Sequence, residues 1–155
     1  MSTGALAAPS NPMAQVAYLV GRWSGEGQFW NAEGPRRFSQ IETVQSHLGG
    51  ELLTIEGEGW DRDDHSRRVH AAFAVLSYET GGGRYVWQAY SGGQWADTEL
   101  QVRSGGFSWA VRPAPQVAIR YTAVVGSDTW AELGELARDG GPWSTIMSMR
   151  LRREA

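Results

Sequence analysis

The chain has 155 residues, the size of one domain, and this length can bury a core of its own. It has no cysteine, which excludes disulfides and thiolate metal sites. Its 14 basic and 17 acidic residues are mixed along the chain and leave a net charge of -3, so neither a nucleic-acid surface nor an anionic membrane is expected as a partner.

Twenty glycines without a fixed period point to many tight turns, and eight tryptophans point to a core or a cavity lined by rings. No run of about 20 apolar residues is present to span a membrane. Residues 1–10 lack the basic start and apolar stretch of a signal peptide and read as a flexible leader, with a cytoplasmic domain over 11–155.

Asn11-Pro12 reads as a helix start, with Asn11 as cap and Pro12 in the first turn. Met13, Val16, Ala17 and Val20 follow at helical spacing, and Gly21 ends the pattern. The period then changes to two. Strands are predicted over Arg22–Trp30, Arg37–Leu48, Leu52–Trp60, Val69–Tyr78, Tyr85–Ser91, Gln94–Val102, Phe107–Arg112, Val117–Val125, Thr129–Ala137 and Trp143–Arg152. Glycine, proline, asparagine or aspartate clusters separate them. Roughly ten short strands joined by hairpins favour a closed antiparallel up-and-down β-barrel, because closure removes the sheet edges; a sandwich is the alternative.

The stretch Leu19-Val20-Gly21-Arg22-Trp23-Ser24-Gly25-Glu26-Gly27 resembles the calycin superfamily of lipocalins, fatty-acid-binding proteins and nitrobindins. The shared pattern is a short helix followed by Gly-x-Trp at the first strand. The Trp-x-Gly-x-Gly extension is most similar to nitrobindins and to bacterial lipocalin-like domains. The closing segment Met147-Ser148-Met149-Arg150-Leu151-Arg152-Arg153 is similar to the arginine-bearing last strand of such barrels. In this pattern Trp23 plugs the narrow end, and Arg150 or Arg152 lies over its ring in a cation–π contact. These residues are assigned to the fold. The resemblance also implies haem ligation by a histidine near the C-terminal strands, but no histidine follows His70, so no cofactor is expected. A haem role would need His70 or His47.

Other chemistry is sparse. His65 lies in a charged turn, whereas His70 lies in an apolar strand, as an inward acid, base or ligand or as a hydrogen-bonded barrel histidine. Glu56 and Glu58 share a strand face with Trp60, as an acid–base pair if buried or as a solvated face. Arg120 interrupts an apolar strand, as edge protection or as an inward anchor for a ligand carboxylate. The strand holding Trp87 and Tyr90 carries rings on both faces, which makes a homodimer plausible. Hydrolase, phosphate-loop and zinc-protease motifs are absent.

The leading expectation is a binding barrel for a small hydrophobic or aromatic ligand. Trp60, Trp87, Trp109 and Trp130 would form walls, and His70, Tyr90 and Arg120 would supply polar contacts. A cyclase or isomerase on the same barrel, built on Glu56, Glu58, His70 and Tyr90, is the alternative.

Overall fold

The computed structural model describes residues 11–155; the leader assigned to residues 1–10 lies outside them. Ten antiparallel strands run in sequence order and close into a barrel. They are β1 Gly21–Asn31, β2 Gly34–His47, β3 Leu52–Asp61, β4 Arg68–Glu79, β5 Arg84–Ser91, β6 Gln94–Arg103, β7 Gly106–Ala114, β8 Val117–Val125, β9 Thr129–Arg138 and β10 Ser144–Arg153. The first strand pairs with the last, with Trp23 opposite Arg153. Each strand lies within a few residues of its predicted span, because alternation and turn chemistry are strong local signals.

The N-terminal helix differs from expectation. Pro12–Gln15 and Ala17–Leu19 form two short 3-10 turns, and Asn11 makes no side-chain cap. Tertiary contacts hold this segment instead. Met13, Val16 and Leu19 are buried against the barrel core, and the Tyr85 hydroxyl donates to the Pro12 carbonyl at 2.7 Å.

Burial along the strands defines a closed and an open end. At the end beneath the 3-10 turns, Trp23, Val44, Leu53, Leu76, Leu100, Phe107, Val125, Trp130 and Leu151 are all buried. Trp23 is fully buried, and its indole N–H donates to the Leu19 carbonyl at 2.9 Å. Trp130 packs edge-on against it, ring centroids 5.6 Å apart. Trp23 thus plugs the barrel, as the Gly-x-Trp pattern suggests. The arginine over its ring is Arg153, not Arg150 or Arg152. The latter two point outward and are exposed, since alternation puts Leu151 and Arg153 on the inner face.

At the opposite end Phe38 and Asp61 are buried, but inward residues of the other strands are only partly so. Ala72, Ala89, Ala96, Thr98, Trp109, Tyr121 and Met147 are half-buried. The barrel is therefore stoppered at one end and less densely packed at the other, its mouth.

Candidate functional site

The inner face of β2 reads Phe38, Gln40, Glu42, Val44, and all four are buried. On β9 the inner positions Trp130, Glu132 and Gly134 are buried in the same way. Two carboxyl groups therefore enter the lumen between its apolar floor and its open mouth. Glu42 is 7% exposed and Glu132 8%.

Glycine makes room for this cluster. A Cβ on Gly57, opposite Glu42 on β3, would lie 2.5 Å from the Glu42 carboxylate. A Cβ on Gly59 would lie 2.5 Å from the Gln40 side-chain oxygen. Gln40 donates its amide to Glu42 Oε1 at 2.9 Å.

Among the described residues no cation forms an ion pair with either carboxyl. Arg153 is committed at the closed end, where it donates to the carbonyls of Tyr18, Val20 and Ser127. Burial pushes the Glu42 carboxyl up to about 7, against the Gln40 hydrogen bond, which favours its charge. Burial first, and then the Glu42 charge, push Glu132 up to about 8. The Trp130 indole approaches Glu132 and favours its ionised form, but makes no hydrogen bond of good geometry. Tyr121, also raised by burial and by the Glu132 charge, stands above the pair.

Three buried polar atoms of this region have no partner among the described residues: Gln40 Oε1, Trp87 Nε1 and Trp130 Nε1. An unpaired buried donor or acceptor costs about 1–3 kcal/mol, so each is an opening for a bound group.

The structure divides the sequence-derived site residues between two faces. Trp87, Trp109 and Trp130 face the lumen, Trp87 and Trp109 with centroids 4.9 Å apart. His70 stands at the mouth on the inner face, its Cβ beside Gly59. It keeps solvent access, yet the surrounding protein desolvates it enough to lower its pKa. Trp60, Tyr90 and Arg120 point outward and are not lumen walls. Arg120 donates to Glu135 at 2.9 Å and lies 4.0 Å from the centroid of the Trp143 ring. Glu56 and Glu58 are also on the outer face, so they do not converge with His70. Tyr90 instead stacks on Trp95 outside, beside Phe73, in an outer cleft of about 460 Å³ over β3–β6. This is the ring-bearing face that the two-sided pattern of β5 suggests for self-association.

No protein-family model matches the chain. Peroxynitrite isomerase 2 of Mycolicibacterium smegmatis is 39% identical over 77 residues, 50% of this chain and 33% of that protein. Peroxynitrite isomerase 2 of Mycolicibacterium vanbaalenii is 40% identical over 68 residues, 44% of this chain and 30% of that protein. The matches thus span about a third of the length of these curated relatives. Among solved structures, Rv2717c from M. tuberculosis superposes with a TM-score of 0.70 at 15% identity, over 94% of this chain and 99% of that one. It shares the fold.

The haem site implied by the nitrobindin resemblance does not fit the residues present. The inner positions of β7–β10 include Phe107, Trp109, Tyr121, Trp130, Glu132 and Met149, and no histidine. His70 on β4 is the inner-face histidine, while His47 points outward and lies 2.8 Å from Thr54 Oγ1. Among the described residues, no group of three or more His, Asp or Glu side chains could hold a metal ion, and no helix is long and apolar enough to cross a membrane.

The sequence reading missed Glu42 and Glu132. Their signal was parity: Glu42 shares the face of Phe38 and Val44, and Glu132 shares the face of Trp130.

Proposed function

We propose that the chain is a lipocalin-like, calycin-type binding barrel that admits a small, largely apolar molecule through its open end. The observation that carries this reading is the set of unpaired buried polar atoms on Gln40, Trp87 and Trp130, in a ring-walled lumen that also holds two carboxyl groups. Such a wall with a few placed polar groups is the usual composition of a small-molecule site. Trp87 and Trp109 supply apolar surface, and the small side chains of Ala72, Ala89 and Ala96 leave width near the mouth. Titration with N-phenyl-1-naphthylamine, followed by energy transfer from tryptophan, tests the reading. Saturable transfer that weakens in Trp87→Phe is expected. No transfer with this dye, a fatty acid or a retinoid would overturn it.

Proton-transfer catalysis on the same barrel is the second reading. Its specific support is that Glu42 and Glu132 titrate near neutrality, at about 7 and about 8, where a general acid or base works best. The similar proteins are named isomerases, which supports an enzyme of that general class on this barrel. The residues that would carry it are the lumen pair, not Glu56 and Glu58.

A further inference from the structure

We infer that the lumen selects small cationic ligands, an ammonium or amidinium group on an apolar body, and that the Glu42–Glu132 pair binds the cation. This deepens the lumen-binding reading and rests on it.

The argument starts from charge and geometry. Two carboxyl groups from strands on either side of the β1–β10 closure lie in one lumen. Gly57 and Gly59 are shaped around Glu42 and Gln40, so the cluster is built into the fold and is not a loose surface feature. Gln40 Oε1 adds an unpaired acceptor, itself buried with Gln40 only 2% exposed. That atom lies beside Glu42 and needs a donor.

The other ionisable groups of the inner face do not supply one. Asp61 and His70 are at the mouth, and Asp61 Oδ1 accepts the backbone N–H groups of Asp63 and Asp64. Tyr121 on β8 is the neighbouring phenol. Tyr78, Tyr85 and Arg153 belong to the closed end, where Arg153 is held by carbonyls and by the Trp23 ring. A ligand cation would meet the carboxyl oxygens and the Gln40 oxygen. Above about pH 8, where both carboxyls are ionised, a ligand carboxylate would meet two negative charges and would be rejected.

Binding a cation also favours the ionised carboxyls. A proton must then leave when the ligand enters below about pH 7–8, and affinity should rise with pH across that range. An amine that stays protonated throughout reports this directly.

The test uses three probes of one shape: benzylammonium, benzyl alcohol and benzoate, titrated calorimetrically at pH 6 and pH 8.5. Each titration is repeated in two buffers of different ionisation heat. Benzylammonium is expected to bind about tenfold or more tightly than benzyl alcohol at pH 8.5. Its affinity should drop at pH 6, its binding should release protons, and benzoate should bind weakest. Glu132→Gln and Glu42→Gln, checked for native melting, should each reduce the preference for benzylammonium over benzyl alcohol. Because the wild-type pH dependence needs no variant, a variant that fails to fold leaves the test intact. Equal or tighter binding of benzyl alcohol or benzoate, with N-phenyl-1-naphthylamine still bound, would overturn the cation proposal and leave the lumen reading standing. If neither the dye nor any of the three probes binds, both fall together.

Discussion

The guanidinium carbon of Arg153 lies 4.1 Å from the centroid of the Trp23 ring. The two residues face each other across the β1–β10 pairing that closes the barrel. Trp23→Ala removes a fully buried ring and should destabilise the fold by about 3–5 kcal/mol. Arg153→Ala should cost less, although three carbonyls also lose their donor. The two losses should not add. Urea unfolding in a double-mutant cycle should show coupling between Trp23 and Arg153 and none between Trp23 and Arg150 or Arg152. Coupling with Arg150 instead would contradict the register.

A second prediction concerns pH. In the fold, Glu42 and Glu132 hold their protons up to about pH 7 and about pH 8, while the ordinary glutamate value is 4.5. Below that ordinary value both the folded and the unfolded chain are protonated, and the contribution to stability is fully present. As pH rises the unfolded chain releases its protons first, so stability is lost up to and through the folded values. The loss should be on the order of a few kcal/mol between about pH 5 and about pH 8.5. His70 acts in the opposite sense at the acid end, because its lowered pKa penalises the fold when imidazole protonates. Comparing the parent with Glu42→Gln/Glu132→Gln removes that background. The double variant should show a flatter profile in urea unfolding, and an unchanged profile would contradict the burial of the pair.

The architecture was legible in the sequence because turns and alternation are local. Gly49-Gly50, Gly92-Gly93 and Gly105 adopt positive φ at the predicted turns. Which face of a strand points inward was harder to read, because one residue of slip exchanges the faces. The register shifts between Gly59 and Trp60 and between Thr145 and Met147, and neither shift has a marker in the residue pattern. On β10 the face of Met149 and Leu151 carries Arg153, whereas Arg150 and Arg152 fall on the other face, one residue away. Likewise Tyr90 and Arg120 looked like polar guests of apolar strands, whereas they decorate the outer wall. Glu42 and Glu132 have no marker in the residue pattern beyond their parity, and a buried carboxyl with no cation nearby is rare.

A third prediction separates two glycines. A Cβ at Gly25 would run into the backbone of Arg150 on β10, which cannot move without opening the barrel closure. A Cβ at Gly57 would meet only the Glu42 carboxylate, the far end of a flexible side chain. Gly25→Ala should therefore cost at least the upper end of the roughly 1–3 kcal/mol of overpacking, and Gly57→Ala less. Gly57→Ala should instead displace Glu42 and weaken the pH dependence of stability. Thermal melting of both variants at two pH values checks this, and a milder effect at Gly25 would contradict the close approach of β1 and β10.

The central claim is that ligand enters the lumen and does not bind the outer wall. Ala89 and Tyr90 are adjacent on β5 and point to opposite faces, Ala89 inward near the mouth and Tyr90 outward onto Trp95. The most direct measurement is the affinity for N-phenyl-1-naphthylamine in Ala89→Trp and in Tyr90→Ala, each verified as folded by circular dichroism. The account predicts that Ala89→Trp fills the lumen and weakens binding by about tenfold or more, while Tyr90→Ala changes it by less than about twofold. Loss of binding in Tyr90→Ala with full retention in Ala89→Trp would contradict it and move the site to the outer cleft.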